Sequence, residues 1–214
     1  GLHSFFQQKM IPLESVMSKV WNKKIFEHIQ KDVDKASRDL AEERGACPDA
    51  ADYGIKERFS NKTAIAPTAS ISIICGGTSP GVEPIAANSF THKTLSGSFN
   101  VRNRYLEKIL EKHNKNDDET WSSITTNQGS VSHLDFLTQQ EKDVFKTAFE
   151  LDQKWIVELG ADRTPHISQA QSINIFVPAD IHKKELHQIH FQAWKKGLKS
   201  LYYCLLYTSP SPRD

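Results

Sequence analysis

Residues 172–203, which read SINIFVPADIHKKELHQIHFQAWKKGLKSLYY, decide the fold class. Ser172 to Val177 is short, β-branched and mostly apolar, a pattern that predicts a strand buried on both faces. Ala179 to Lys196 carries apolar residues at helical spacing, and Gly197 follows, so we predict an amphipathic helix that stops there. Leu198 to Tyr203 has the pattern of a second strand. This order predicts a β-α-β unit with parallel strands and a right-handed crossover, and hence an α/β fold.

A proline-containing turn lies between two further predicted strands. Thr63 to Ala66 and Ser70 to Cys75 are short and rich in β-branched or apolar residues, as buried strands are. The turn between them can point several backbone amides into one concavity. With the hydroxyls of Thr68 and Ser70, such a turn could bind phosphate oxygens without Lys or Arg. A plain tight turn between strands explains the same residues, and the residues alone leave both interpretations open.

Three other segments are predicted to contain helices. Val101 to His113 has apolar residues on one side, and Thr138-Gln139-Gln140-Glu141 has the spacing of a capping box. The helix that this box opens is predicted to run to Leu159 and to end at Gly160. Pro12 to Arg44 is a third predicted helix, and its apolar residues are predicted to form one buried stripe: Leu13, Val16, Val20, Ile29, Val33, Ala36 and Leu40.

The remaining segments are predicted to be loops. Residues 45–61 contain Gly, Pro and Asp with little periodicity, which indicates a connecting loop. Gly76 to Gly81 is also a loop, but not a Walker A loop. That motif requires Lys followed by Ser or Thr, where this chain has Val82 and Glu83, and a carboxylate near a triphosphate would be repulsive.

Tyr202 and Tyr203 end the last predicted strand. Adjacent strand residues point to opposite faces, so the two phenols could connect two compartments. Phenols suit one-electron oxidation coupled to proton loss, with the radical supplied by a cofactor. Aromatic pairs in strands are also ordinary packing, and this alternative stays open on the residues alone.

Composition excludes several classes of partner. Lys and Arg total 27 against 26 Asp and Glu, so no net field draws the chain to nucleic acid or to a membrane surface. No apolar run approaches the ~20 residues that a membrane span needs. The nine histidines form no zinc motif, and the cysteines are three, scattered and without a Cys-x-x-Cys pair. We therefore expect a cytoplasmic protein with no metal site: Cys47, Cys75 and Cys204 are expected to be structural.

Taken together, several stretches resemble the alpha (large, catalytic) subunit of class I ribonucleoside-diphosphate reductases. The resemblance covers nearly the whole chain up to Tyr203, and several motifs in order are more specific than any one. It implies that residues 1–204 are the C-terminal part of the family's ten-stranded α/β barrel. The matching stretches are Gly1-Leu2-His3, Gly45-Ala46-Cys47-Pro48, Asn61 to Ser72, Gly81-Val82-Glu83-Pro84, Gln171-Ser172-Ile173-Asn174 and Gly197 to Tyr203.

The resemblance assigns roles to both candidate segments. The turn would hold the phosphates of a ribonucleoside diphosphate, through Pro67, Thr68, Ala69, Ser70 and Ile71. Some relatives have Glu where this chain has Ala69, which leaves the backbone amide as the contact there. Tyr202 would face the catalytic cysteine and Tyr203 the radical-generating beta subunit, so these tyrosines would carry the radical.

The resemblance also implies the parent reaction and its partners. Ribonucleoside diphosphates would be reduced to deoxyribonucleoside diphosphates, with electrons from thioredoxin or glutaredoxin and a radical from a metal-containing beta subunit. The parent would be an alpha homodimer. The thiyl cysteine, its Asn and Glu neighbours, the reducing cysteine pair and the ATP and dNTP effector sites would all lie upstream of Gly1. This chain would then bind no cofactor and would be inactive alone.

Residues 205–214 resemble a translated sequencing adapter, and we expect them to be a non-native tail. Two rival functions remain. One is a cobalamin-dependent reductase with a similar barrel, against which Tyr202 and Tyr203 argue, because a radical made beside the substrate needs no tyrosine relay. The other is a non-catalytic phosphate-binding α/β module.

Overall fold

The computed structural model describes residues 1–94 and 97–206, with the backbone alone at 92–94 and 203–206. Its helices and strands follow in chain order: α1 Leu2–Gln8, α2 Val16–Arg44, α3 Pro48–Asp52, α4 Ala69–Ile74, β1 Ser89–Thr94, β2 Gly97–Arg102, α5 Arg104–Lys112, α6 Asp118–Thr126, α7 Gln139–Val144, α8 Gln153–Arg163, β3 Asn174–Pro178, α9 Lys183–Lys195 and β4 Tyr202–Leu206. A 3-10 turn at Thr164–His166 follows α8.

The predicted β-α-β unit is confirmed. Strands β3 and β4 are parallel, in register from Asn174 opposite Tyr202 to Pro178 opposite Leu206. Helix α9 connects them, and Gly197, with φ +79°, follows its C-cap. Strand β4 begins four residues later than predicted and includes Leu205 and Leu206, which the sequence assigned to the non-native tail. Residues 207–214 of that tail lie outside the described residues, and the handedness of the crossover stays a prediction.

A third extended segment lies beside β3. The amide of Ile65 donates to the Ala170 carbonyl at 3.2 Å, and its carbonyl accepts from the Ser172 amide at 2.9 Å. The pairing of Ile65 with Gln171 is parallel but is a single bridge, shorter than the strand predicted for Thr63 to Ala66. The Ile65 segment and β4 therefore flank the chain segment that leads into β3.

The strand predicted for Ser70 to Cys75 is wrong, because this run forms helix α4. Ser72 donates its amide to the Thr68 carbonyl at 2.9 Å and its hydroxyl to the Ala69 carbonyl at 2.6 Å, both helical contacts. A short apolar run does not by itself distinguish a buried strand from a helix. Ile74, at the end of the run, is 84% exposed over the described part of the chain, so the burial that suggested a strand is absent there.

The predicted helix is confirmed as α2, which begins at Val16 and not at Pro12. Of its predicted buried stripe, Leu13 is buried but precedes the helix, and the stripe within α2 is wrong. Val16 is 73% exposed, and Val20 and Ile29 are exposed as well. The buried face contains Asn22 and Phe26 and otherwise consists of small residues: Ser18, Ser37 and Ala41. The buried amide of Asn22 has hydrogen-bond partners in α8, the Leu159 carbonyl and the Arg163 guanidinium, and these contacts favour this side of the helix as the inward one.

The capping box at Thr138 is confirmed, and both of its reciprocal hydrogen bonds are present. The helix does not continue to Leu159, because α7 ends at Val144 and α8 begins anew after the Asp152 N-cap. Gly160 lies inside α8 and does not terminate it. A Cβ at Gly160 would stand 2.8 Å from Ile173 Cδ1, so the glycine allows α8 to lie close to the segment that enters β3.

The helix predicted from Val101 begins three residues later, at Arg104. Residues up to Arg102 belong instead to β2, which pairs antiparallel with β1 in a hairpin that the sequence did not predict. Within the predicted loop 45–61, a short helix, α3, forms. Over the described residues, no helix is both long and apolar enough to cross a membrane.

Strand β3 lies at the centre of one part of the core. Its residues Ile175 and Val177 are buried with Val157 of α8 and with Ile189 and Ala193 of α9. A second cluster lies around α5, α6 and α7: Leu106, Ile109, Leu110, Trp121, Ile124, Val131, Leu134, Leu137, Val144 and Phe145. Helices α8 and α9 therefore pack on the face of β3 that carries Ile175 and Val177, and they fix this strand in place.

Candidate active site

The turn at Thr68 leads directly into α4. Thr68 has a left-handed backbone, with φ +54°, and is the N-cap of this helix. The first helical amide to bond is that of Ser72, so the amides of Ala69, Ser70 and Ile71 precede the helical ladder. Pro67, Ala69, Ser70 and Ile71 are exposed, and Thr68 is partly buried. All five residues predicted from the sequence therefore lie at the start of one helix.

Gly81 closes the turn from the other side. Its amide donates to Thr68 Oγ1 at 2.7 Å. Its φ is +46°, and a Cβ at this position would stand 2.9 Å from the Ala66 carbonyl oxygen. Neither the backbone conformation nor the space suits a side chain. The glycine that the sequence assigned to a plain loop is thus in direct contact with the predicted phosphate turn.

Glu83 connects this loop to β3. Its Oε1 accepts hydrogen bonds from the Asn174 backbone amide at 3.1 Å and from Asn174 Nδ2 at 2.8 Å. Glu83 is 7% exposed. Burial raises the pKa of its carboxyl group, and the two hydrogen bonds from Asn174 oppose that rise. Both residues lie in stretches that carry the family resemblance, but the sequence alone assigned neither of them to a site.

Tyr202 lies on the neighbouring strand, opposite Asn174. Its amide donates to the Ile173 carbonyl at 2.9 Å, and its register partner is Asn174. Paired residues on adjacent strands point to the same face of a sheet, so Tyr202 and the Asn174 side chain share a face. Tyr202 is 71% exposed. The backbone of Tyr203 continues β4, and its side chain lies outside the described residues.

Helix α1 holds the loop that carries Gly81 and Glu83. Ser4 and Ser79 exchange hydrogen bonds, from Ser4 N to Ser79 Oγ at 3.1 Å and from Ser79 N to Ser4 Oγ at 2.8 Å. Nδ1 of His3 accepts from the Ile85 amide at 3.1 Å. Burial lowers the pKa of His3 to about 3, so this ring is neutral and accepts. Both ends of the loop are therefore fixed.

An open, mostly apolar cleft of about 510 Å³ borders the turn. It lies between α1, α2 and the Ile65 segment, and Thr68 and Gly81 line one side. Among the residues that the structure describes, His, Cys, Asp and Glu side chains form no group of three or more that could hold a metal ion. The polar groups that the turn itself presents are backbone amides and the hydroxyls of Thr68 and Ser70.

The fold and the candidate site define a class of protein. Parallel extended segments alternate with helices, and a helix-opening turn follows directly after one of them. This is the arrangement of α/β proteins that place their ligand sites at the carboxyl ends of parallel strands.

Comparison with known proteins defines the family. Residues 49–204 match the family model described as "Ribonucleotide reductase, barrel domain", which covers more than half of the chain. The chain belongs to the ribonucleotide reductase barrel-domain family. The family resemblance and the α/β barrel class predicted from the sequence are thereby confirmed.

The relatives are large subunits of ribonucleoside-diphosphate reductases. The chain is 49% identical over 207 residues to the ribonucleoside-diphosphate reductase large subunit of Invertebrate iridescent virus 6, covering 95% of this chain and 21% of that protein. It is 45% identical to the corresponding protein of Invertebrate iridescent virus 3, covering 95% of this chain and 32% of that protein. The chain thus spans about a fifth to a third of these relatives.

A solved structure has the same fold. The Actinobacillus ureae class Id ribonucleotide reductase alpha subunit superposes with a TM-score of 0.88 at 37% sequence identity. The match covers 96% of this chain and 38% of that one. The fold described above is therefore that of part of a reductase alpha subunit.

Proposed function

We propose that this chain is the part of a ribonucleoside-diphosphate reductase large subunit that holds the substrate phosphates and carries radical transfer. One observation carries the proposal. A continuous series of contacts runs from Thr68 through Gly81, Glu83 and Asn174 to Tyr202. The segment before the turn pairs with Gln171 and Tyr202 pairs with Asn174, so both segments lie beside the same stretch of chain, which supports a shared ribose-phosphate pocket.

The phosphate site would consist of the start of α4. The amides of Ala69, Ser70 and Ile71 precede the helical ladder and so are available to phosphate oxygens. The Thr68 hydroxyl accepts from Gly81 and keeps its own proton to donate. Pro67 restricts the backbone before the turn. A diphosphate bound here would need no Lys or Arg from this segment.

Tyr202 and Tyr203 would carry the radical. In each step one phenol loses an electron and its hydroxyl proton and becomes a neutral phenoxyl radical, while the previous radical is reduced to a phenol. Tyr203 would be oxidised from the side of the partner subunit, and Tyr202 would in turn oxidise the catalytic cysteine of the complete protein. The exposure of Tyr202 over the described residues supports a position at which another part of the reductase meets it.

The complete protein would work with partners. A metal-containing beta subunit would generate the radical, and thioredoxin or glutaredoxin would supply electrons in the cytoplasm. The large subunit would form a homodimer, with ATP and dNTP effectors bound outside this segment. No cofactor would be bound by residues 1–204 themselves, and this chain would not turn over substrate on its own.

The experiment uses a full-length large subunit carrying this segment, assayed with its beta subunit. Tyr202→Phe should lower turnover by at least about 100-fold and leave the Kd for a ribonucleoside diphosphate within about twofold, because only the oxidisable hydroxyl is lost. Tyr53→Phe is the matched control, since Tyr53 is exposed at the end of α3. Turnover retained in Tyr202→Phe would rule out the relay and favour a role for this segment in phosphate binding alone.

A further inference from the structure

We propose that Glu83 is a positioning residue of this active site. By accepting two hydrogen bonds from Asn174, it holds the loop that carries Gly81, and through Gly81 the phosphate turn, at a fixed place beside the strand that pairs with Tyr202. The inference rests on the proposed function and adds a residue to it. Glu83 acts through other residues and is not assigned contact with substrate.

The geometry of the two hydrogen bonds is the first support. Both donors belong to Asn174, one from its backbone and one from its side chain, and both meet the same carboxylate oxygen, Oε1. The backbone contact fixes the loop against the start of β3. The side-chain contact also fixes the Asn174 amide group, which shares a sheet face with Tyr202. The Glu83 carboxylate therefore orients both the loop that carries Gly81 and the side chain of Asn174.

The short path from Glu83 to the turn is the second support. Glu83 donates its own amide to the Pro80 carbonyl at 3.0 Å, which makes residues 80–83 a tight turn. Gly81, inside that turn, donates to Thr68 Oγ1 and lies so close to the Ala66 carbonyl that an added Cβ would stand 2.9 Å from its oxygen. A shift of Glu83 must therefore move Gly81, and with it the hydroxyl that begins α4.

The environment of the carboxylate is the third support. Burying a carboxylate costs free energy that only strong hydrogen bonds offset. Glu83 is almost fully buried, and no other hydrogen bond to its carboxylate is described besides those from Asn174. A neutral apolar residue would fill this space at lower cost. What Glu83 contributes to the site is therefore its ability to accept the hydrogen bonds from Asn174.

Three variants of the full-length subunit separate the possibilities. Glu83→Ala removes the acceptor and should raise the KM for a ribonucleoside diphosphate by about tenfold or more, because small misplacements of binding groups weaken substrate binding. The kcat should fall less than KM rises. Glu83→Gln keeps an acceptor oxygen and removes the charge, and it should restore KM to within about threefold of the parent. Asn174→Ala removes only the side-chain donor and should give an intermediate KM.

Glu141→Ala is the matched control. Like Glu83, Glu141 accepts hydrogen bonds from the backbone amide and the side chain of one residue, Thr138. It belongs to the capping box of α7, a helix whose buried residue Val144 packs in the cluster around α5 and α6. It should leave KM unchanged. Circular dichroism and thermal melting establish that each variant is folded. If Glu83→Ala does not fold, Asn174→Ala carries the test, since it keeps the carboxylate and the backbone donor.

The outcomes are distinct. A KM that stays within about twofold in a folded Glu83→Ala protein, or a Glu83→Gln variant as impaired as Glu83→Ala, would overturn the positioning role. In the first case Glu83 does not hold the turn, and in the second its charge or proton matters more than its hydrogen bonds. Neither result touches the proposed radical relay, which fails if Tyr202→Phe retains turnover.

Discussion

The hydroxyl oxygen of Thr68 accepts a hydrogen bond from the amide of Gly81 at 2.7 Å, while the backbone of Thr68 is left-handed. This contact fills one lone pair of the hydroxyl and orients its proton away from Gly81. A left-handed conformation costs about 1 kcal/mol or more in a β-branched residue, so the surrounding contacts hold the turn against its local preference. Thr68 is therefore both the cap of a helix and the point at which a second loop is attached.

Two substitutions of Thr68 test the contribution of its hydroxyl group and that of its β-branched shape separately. In the full-length subunit, Thr68→Val removes the acceptor for Gly81 and the donor proposed for phosphate, and the KM for a ribonucleoside diphosphate should rise by about tenfold or more. Thr68→Ser keeps the hydroxyl and should change KM by less than about threefold. Equal KM values for Val and Ser variants in steady-state assays would contradict a role for the hydroxyl.

His3 should make the folded chain sensitive to mild acid. Its folded pKa of about 3 lies below the 6.5 of an exposed histidine, so the folded state binds fewer protons than the unfolded state. The stability that this neutral ring contributes is present above pH 6.5 and is lost as pH falls, by about 1.4 kcal/mol per pH unit toward the folded pKa. Urea unfolding at pH 7.5, 6.5 and 5.5 measures this slope.

The control for His3 is His3→Asn, which offers Oδ1 to the Ile85 amide and does not titrate. Its unfolding free energy should change less between pH 6.5 and 5.5 than that of the parent, by about 1 kcal/mol. Identical pH slopes for the two proteins would show that the ring is not buried in its neutral form.

Gly129 should tolerate no side chain. Its φ is +80°, and a Cβ would stand 2.4 Å from Ala87 Cβ and 2.8 Å from the Asn88 amide nitrogen. Gly129→Ala should destabilise the fold by about 3 kcal/mol or more, because backbone must move. Gly54→Ala is the matched control: φ is +65°, but nothing lies within 4 Å of the added Cβ, so only the conformational cost of about 1 kcal/mol applies. Chemical denaturation that gives equal losses would refute the close contact.

Arg163 should be essential to the packing of α2, α8 and the segment before β3. It is fully buried, donating to Gln171 Oε1 at 2.9 Å and to Asn22 Oδ1 at 3.1 Å, with its guanidinium 5.6 Å from the Phe26 ring centroid. Burial lowers its pKa to about 9. Arg163→Ala leaves a cavity and two unpaired amide oxygens, and it should cost about 3–5 kcal/mol of unfolding free energy.

Arg44 is the matched control for Arg163, since it is exposed at the end of α2. Arg44→Ala should change stability by less than about 0.5 kcal/mol. A loss below about 1 kcal/mol for Arg163→Ala in urea denaturation would mean that the cluster relaxes around the missing side chain.

Local pattern was sufficient to predict the β-α-β unit and the capping box. Ser172 to Val177 carries its strand signal in its own residues, and Thr138 with Glu141 satisfies the helix start within four residues. The buried face of α2 could not be predicted in this way. Asn22 is buried because it donates to the Leu159 carbonyl, 137 residues away, and no periodicity within α2 contains that partner.

The candidate site was predictable only in its most local parts. The turn at Thr68 has an unusual run of Pro and hydroxyl residues, and the tandem tyrosines are adjacent in the sequence. Glu83 and Asn174 are 91 residues apart, and each is unremarkable alone. The stretches around them were among those that carried the family resemblance, which is the signal that could have directed attention to the pair.

The 91-residue separation of Glu83 and Asn174 also bears on how the chain acquires its site. Contacts between distant parts of a chain form late in folding, because the entropy of closing the intervening loop must be overcome first. We therefore expect the Glu83–Asn174 contact, which fixes the Gly81 loop against β3, to form only after α8 and α9 have positioned that strand. The affinity for a ribonucleoside diphosphate would then appear only in the last step of folding. The rate at which diphosphate binding appears would measure the rate of that step.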